Sequence, residues 1–192
     1  MGKANKIILV TGAARSGKSE WAETLALAGN LPVIYIATAQ VDATDLEWQQ
    51  RIKQHQRRRP SSWQTVIAHT ELAATIEGQV PPNCLLIDSV GTWVANLLEE
   101  DGENWLMSAE KLLKSLKKTK VDVILVAEEV GWGVVPSYKT GRIFRDRLGM
   151  LVRQIGAIAQ VVYLVTGGHV LNLSVLGQPL PQNQNLSGEP EN

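Results

Sequence analysis

The chain has a single cysteine, Cys84, in 192 residues. That excludes an intramolecular disulfide and suits a reducing cytosol. No charge of either sign dominates: 19 basic and 19 acidic residues leave a formal net charge of zero. A general nucleic-acid binder carries a basic excess, so no nucleic-acid partner is expected. No apolar run approaches the roughly 20 residues that a bilayer span needs. Residues 1–6 are too short and polar for a signal peptide. A cytoplasmic protein without a membrane span is therefore expected. Histidine is scarce too, with three in all. What is present, 44% hydrophobic and 20% charged residues, is the make-up of a globular protein. The length suits one domain able to bury a core without disulfides or metals.

Short apolar runs alternate with helix-prone stretches. Ile7-Ile8-Leu9-Val10 meets Gly12 almost at once and reads as a buried strand. Residues 19–28 are rich in helix formers and stop at Gly29-Asn30. Residues 33–37 (VIYIA), 85–88 (LLID), 121–127 (VDVILVA) and 161–165 (VVYLV) read as further strands. Residues 169–175 are a candidate sixth strand, antiparallel at an edge. Helices are predicted over 45–58, 72–76, 92–99, 105–116 and 138–159, the first ended by Pro60. Strands apolar throughout and separated by helices imply a mostly parallel sheet covered on both faces, an α/β fold. The lysine run in residues 111–120 reads as the solvated face and C-terminal end of a helix. Residues 1–176 are predicted to form one domain. Residues 177–192, polar with Pro and Gly, are predicted to be a disordered tail.

One motif carries definite chemistry. Gly12-Ala13-Ala14-Arg15-Ser16-Gly17-Lys18-Ser19 matches the phosphate-loop pattern G-x-x-x-x-G-K-[ST] at every fixed position, between a strand and a helix. Such a loop turns its backbone N–H groups toward one point, where the following helix presents its positive end. Residues 12–19 are therefore the predicted nucleotide-binding loop. Lys18 would grip the terminal phosphates, and the Ser19 hydroxyl would hold Mg²⁺. Asp88, at the C-terminal end of an apolar strand, has the position of the second Mg²⁺ residue; a helix N-cap is the alternative. The fold class is then that of the P-loop NTPases, with the nucleotide at the C-terminal ends of the strands.

His55 lies in Arg51-Ile52-Lys53-Gln54-His55-Gln56-Arg57-Arg58-Arg59-Pro60. Arginine forks bind phosphate oxygens, and a histidine beside them could attack an α-phosphate. On composition alone, a solvated helix end stays open as the alternative.

In these segments the chain resembles the bifunctional adenosylcobinamide kinase / adenosylcobinamide-phosphate guanylyltransferase family of cobalamin biosynthesis. The resemblance runs from about residue 7 to 165. It is carried by LVTGAARSGKS (9–19), YIATAQ (35–40), RIKQHQRRRPSSW (51–63), IDSVGTWVANLL (87–98), EEVGWGVVP (128–136) and GRIFRD (141–146). It implies two reactions. The first phosphorylates the cobinamide side-chain hydroxyl from ATP or GTP. The second passes GMP from GTP, through a guanylylated histidine, to that phosphate. The histidine matching the motif is His55, and Thr38, Arg57, Arg58 and Arg59 join the nucleotide-binding residues. Mg²⁺, the two nucleotides, a corrinoid substrate and a homo-oligomer complete the expectation. The sequence departs from the family pattern at three places: Glu128 where Asn is usual, Ile67 where Glu is usual, and Val152-Arg153 near a usual Asn-Gln.

Other residues have plainer readings. His169 reads as a surface histidine of an edge strand. Most of the six tryptophans read as core or interface, with Trp132, between Gly131 and Gly133, the best placed to face a ligand. Arg142, Arg145 and Asp146 share one helical turn and could form an interface ion pair in place of a site. Two alternatives to the bifunctional enzyme remain at this point: a P-loop kinase without covalent histidine chemistry, and a nonenzymatic nucleotide-responsive module.

Overall fold

The computed structural model describes residues 5–40, 44, 49–50 and 56–181. Seven strands form one sheet: β1 (Ile7–Gly12), β2 (Val33–Ala37), β3 (Gln64–Ile67), β4 (Cys84–Asp88), β5 (Asp122–Glu128), β6 (Val161–Thr166) and β7 (His169–Asn172). Their order is β3-β2-β4-β5-β1-β6-β7. All neighbouring pairs are parallel except β6 and β7, which are antiparallel. The helices are α1 (Lys18–Ala28), α2 (Leu72–Glu77), α3 (Val90–Asn96), α4 (Gly102–Lys118), α5 (Lys139–Ile158) and the short α6 (Leu173–Leu176).

Strand alternation sorts the core into two layers. Ile7 and Leu9 face one side, where Leu72, Ile76, Trp93, Leu112, Leu148 and Ile155 from α2, α3, α4 and α5 pack on them. Ile8 and Val10 face the other, where Ala22 and Ala26 of α1 cover them. The expected sheet with helices on both faces is observed: among the described residues α2, α3, α4 and α5 pack on one side and α1 on the other.

Several boundaries differ from the sequence expectation, each for a local reason. β3 is an additional strand: three of its four residues are exposed, so it lacks the apolar run that marks a buried strand. It is held by parallel pairing with β2 at the sheet edge. α3 begins at Val90 because Ser89, in extended conformation, caps it by accepting from the Thr92 N–H (3.2 Å). The cap is thus Ser89, not Asp88. Asp101 caps α4 in the same way, accepting from Asn104 N–H (2.8 Å), so that helix starts three residues before Trp105. β7 stops at Asn172, whose side chain accepts from Ser174 N–H (3.1 Å) and turns the chain into α6. β6 and β7 are joined by Gly167-Gly168, both at positive φ (56° and 75°), as a two-residue hairpin requires. Of the predicted helix over 45–58, residues 49–50 and 56–58 are helical; the others lie outside the described residues, as do 182–192 of the predicted tail.

Candidate nucleotide site

The site is built where the parallel strands end. β1 runs to Gly12, and the chain then loops back into α1 at Lys18. Arg15 (φ 59°) and Gly17 (φ 92°) adopt left-handed conformations, and Ser16 N–H donates to the Ala13 carbonyl (3.2 Å). A Cβ on Gly12 would sit 2.5 Å from both Ser16 Oγ and the Val165 carbonyl oxygen. Because the second of these is backbone, only glycine fits there. Ser16 Oγ is buried with no hydrogen-bond partner among the described residues. A buried polar atom without a partner, in a loop wound for anions, fits a phosphate oxygen. Lys18 is only 8% exposed, and its Nζ donates to the Ala13 carbonyl (3.3 Å), so the ammonium is folded over the loop.

β5 lies between β1 and β4, and this order decides which side chains meet the loop. Gly12 pairs with Glu128 and Val10 with Val126, which pairs in turn with Asp88. Asp88 is thus two strands from β1, roughly 10 Å. Its Oδ2 accepts from the Tyr35 hydroxyl (3.1 Å). Burial, reinforced by Asp88, pushes the Tyr35 phenol far up, so this side chain remains a donor. The Arg59 guanidinium lies 3.2 Å over the Tyr35 ring, with its Nε buried and unpartnered among the described residues.

Sequence reasoning named Glu128 only as a departure from a pattern, yet it is one of the site's fixed groups. Its Oε2 accepts from Gly91 N–H (3.0 Å) in the first turn of α3. Burial raises its carboxyl above the usual range, opposed by the Lys18 charge and a hydrogen bond with the Ser89 side chain. The signal that could have found it is the one that singled out Asp88: an acid closing an apolar strand, here one residue beyond the predicted end.

Thr38 is fully buried. Its hydroxyl donates to the Ser89 carbonyl (2.8 Å) and accepts from Ser89 N–H (3.0 Å), tying the end of β2 to the end of β4. His69, not singled out in the sequence, has Nδ1 3.3 Å from the Thr38 carbonyl oxygen, and Asn96 Nδ2 donates to that same oxygen (2.8 Å). His55 lies outside the described residues. Arg57 is exposed on the helical turn 56–58. Arg58 is ion-paired with Glu20 (2.7 Å) and Glu23 (3.4 Å) on α1. Burial lifts the Glu23 carboxyl, and Arg58 opposes the shift. His169 is exposed at the β6–β7 hairpin, its Nδ1 2.9 Å from the Gly167 carbonyl oxygen.

Residues 129–138 follow β5 and begin at the phosphate loop, where Glu129 N–H donates to the Gly12 carbonyl (3.0 Å). Trp132 (71% exposed), Val134 (96%), Val135 and Tyr138 present apolar surface to solvent. Two arginines of the next helix reach back to the carbonyls of this loop. Arg142 donates to the Pro136 and Ser137 carbonyls (3.1 and 2.7 Å) and Arg145 to that of Gly131 (3.3 Å), so both fasten this loop. Trp93 and Trp105 are core residues in mutual contact, 5.9 Å between centroids, and Trp21 packs edge-on to Tyr163.

Among the described residues no cluster of three or more His, Cys, Asp or Glu side chains could hold a metal alone. A hydroxyl and a carboxylate, Ser19 and Asp88, are the hard oxygen donors that Mg²⁺ takes when phosphates supply the rest. No helix among the described residues is long and apolar enough to cross a membrane.

Known proteins agree with this architecture. A type III secretion-system ATPase superposes with a TM-score of 0.52 at 13% identity, over 85% of this chain and 52% of that one. A protein from Pyrococcus horikoshii OT3 gives 0.53 at 7% identity, over 90% and 87%. At such identities the likeness is one of fold alone. Sequence relatives are nearer. The bifunctional adenosylcobalamin biosynthesis protein CobP of Pseudomonas aeruginosa is 40% identical over 184 residues, 95% of this chain and 98% of that protein. The bifunctional adenosylcobalamin biosynthesis protein CobU of Escherichia coli (strain K12) is 37% identical over 177 residues, 84% of this chain and 96% of that protein. The family described as cobinamide kinase / cobinamide phosphate guanyltransferase matches residues 8–173. With that match across nearly the whole described sheet, the chain belongs to the cobinamide kinase / cobinamide phosphate guanyltransferase family.

Proposed function

We propose that this chain phosphorylates the side-chain hydroxyl of adenosylcobinamide from ATP or GTP. It then passes GMP from GTP to that phosphate, giving adenosylcobinamide-GDP and pyrophosphate. The observation that carries the reading is the wound loop of residues 12–19, with Lys18 folded over it, in a chain of this family. Backbone N–H groups of the loop and the Ser16 hydroxyl receive phosphate oxygens. Lys18 leaves the Ala13 carbonyl for the β/γ-phosphates. Ser19 and Asp88 would hold Mg²⁺, which supplies charge neutralisation at the transferring phosphoryl group. Thr38 acts through Ser89, holding the residue that follows Asp88.

For the second reaction the nucleophile is a neutral nitrogen of His55. It attacks the α-phosphorus of GTP; the N–P bond forms as the bond to the pyrophosphate oxygen breaks. A phosphate oxygen of the corrinoid then attacks, and the N–P bond breaks to return the imidazole. Arg58, three residues further in sequence, is paired to Glu20 and Glu23, so the turn after His55 is fastened to the helix that leaves the phosphate loop. Arg57 and Arg59 are the remaining guanidinium groups for phosphate oxygens. The same reading makes the enzyme a cytoplasmic homo-oligomer. Val170, Leu171, Leu173, Val175 and Leu176 at the β7 edge are exposed apolar residues for such an assembly to cover.

The test is incubation with α-labelled GTP. Wild type is expected to take up acid-labile, base-stable label, and His55→Ala none, while cobinamide phosphorylation survives at least in part. Labelling should fall as the pH drops through about 6.5, where imidazole protonates. Undiminished label on His55→Ala would move the nucleophile elsewhere.

A further inference from the structure

We infer that Tyr35 is a positioning residue of the magnesium site: its hydroxyl sets the orientation of the Asp88 carboxylate and, through it, the affinity for Mg²⁺. This rests on the magnesium reading of Asp88 above. The sheet register brings the two side chains together. Tyr35 pairs with Leu86 and Ala37 with Asp88, so Tyr35 and Asp88 are diagonal neighbours on adjacent parallel strands. Tyr35 and Leu86 belong to the layer that α1 covers, and Asp88, two residues after Leu86, falls on the same face. The Tyr35 hydroxyl crosses that diagonal and donates to Asp88 Oδ2 (3.1 Å).

The ring is itself held. It is buried, and the Arg59 guanidinium lies 3.2 Å over its face. The turn that carries Arg59 is fastened by Arg58 to Glu20 and Glu23 of α1. A continuous connection therefore runs from the helix of the phosphate loop, through the arginine turn and the tyrosine ring, to Asp88. Three residues after Tyr35, the Thr38 hydroxyl bonds both backbone groups of Ser89. Residues 35–38 thus fix the carboxylate of Asp88 and the backbone that follows it. A metal-binding carboxylate with one oxygen hydrogen-bonded is held in one orientation, and losing such a partner weakens metal binding by about tenfold to a hundredfold. Burial, reinforced by Asp88, pushes the phenol far up, so it serves as a donor and not as a competing anion.

Two plainer roles explain less. The first is a core aromatic whose hydroxyl only needs a partner. Ile8, Val10, Leu86 and Val126 of the same layer are aliphatic, and Phe would pack among them with no hydroxyl to satisfy. A buried hydroxyl–carboxylate pair adds little to stability over an apolar pair of the same shape, so its use lies in what it orients. The second is a brace for the start of α3. That helix is capped by the Ser89 side chain, and Thr38 already ties the Ser89 backbone, so neither needs the Asp88 carboxylate.

Magnesium titrations of nucleotide binding test this, with the full-length protein and a fluorescent methylanthraniloyl analogue of ATP. Tyr35→Phe keeps the ring beneath Arg59 and removes only the hydroxyl. It is expected to raise the Mg²⁺ concentration for half-maximal binding by about tenfold, with metal-free binding unchanged and affinity restored at saturating Mg²⁺. Added to Asp88→Asn, the same substitution should shift the titration by less than about twofold, because the group it acts through is gone. A Tyr35→Phe titration within about twofold of wild type overturns the inference, and a lowered thermal midpoint alone then marks a packing role. An undiminished shift in the Asp88→Asn background, or an equal loss of metal-free binding, overturns it as well. Asp88→Asn protein that titrates with magnesium as wild type does fails the magnesium reading itself, and this inference with it.

Discussion

The ends of β1 and β5 are paired neighbours built in opposite ways. β1 ends in glycine, and the loop after it turns inward, with Lys18 8% exposed and Ser16 Oγ buried. β5 ends in an acid, and the loop after it turns outward, with Trp132 71% and Val134 96% exposed. The first is made of backbone dipoles and one cation, suited to a polyphosphate whatever its base. The second is made of a carboxylate held by Gly91 N–H and an exposed apolar surface. On the proposed reading the end of β1 would hold the donor, and an acceptor at the end of the adjacent parallel β5 would lie beside it. The division of labour between the two strand ends is what experiments should try to break.

The largest effect is expected on the β1 side. Lys18→Ala removes the ammonium folded over the loop and should cut phosphorylation by about a thousandfold or more, with weaker nucleotide binding. Unchanged turnover would remove the phosphate loop from the mechanism.

Gly91→Ala tests the β5 side indirectly. Alanine in a helix gains up to about 1 kcal/mol over glycine, but forcing Glu128 aside costs about 1–3 kcal/mol. Thermal melts should therefore show a modest net loss of stability. An unchanged or raised melting midpoint would show that Glu128 is not packed against Gly91 as described.

Trp132→Ala should act on the acceptor alone. About a tenfold rise in KM for cobinamide is expected, equivalent to roughly 1.4 kcal/mol. The nucleotide KM and the melting midpoint should stay put, because the ring is exposed. A changed nucleotide KM with an unchanged cobinamide KM would reverse the assignment of the two ends.

The smallest effect is a control on the shared sheet. Cys84 is buried in β4, and burial pushes its thiol up to about 12. At pH 8 native protein should not react with iodoacetamide, and the variants above should stay equally protected. Since the folded thiol titrates later than an unfolded one, near 8.5, its contribution to stability is complete below that pH. It is lost as pH rises toward about 12. Ready alkylation of wild type would show that β4 is not packed as described.

How far the two ends could be read from sequence follows the same division. The phosphate loop was legible because its function resides in backbone geometry, and Gly12, Gly17 and Lys18 at fixed spacing write that geometry into the chain. The buried strands were legible because they are apolar on both faces. β3 was not, since Gln64, Thr65 and Ile67 are exposed and only pairing with β2 makes them a strand. The end of β5 was mostly hidden for a related reason: that Glu128 accepts from Gly91 N–H, and that Arg142 and Arg145 hold the loop carbonyls, are facts of strand order and tertiary packing. Asp88 was found by its strand, but its tie to Tyr35 crosses 53 residues. Likewise, the pairing of Arg58 with Glu20 and Glu23 could not be seen in a basic run.

The most direct measurement follows the corrinoid itself. Purified chain is incubated with adenosylcobinamide and GTP labelled at the γ-phosphate in one reaction and the α-phosphate in another, and the corrinoid products are separated. Label from the γ-position should enter the corrinoid first. Label from the α-position should follow, with pyrophosphate released in equal amount to the α-label gained. A corrinoid that acquires neither label, while the protein binds GTP normally, would contradict the account.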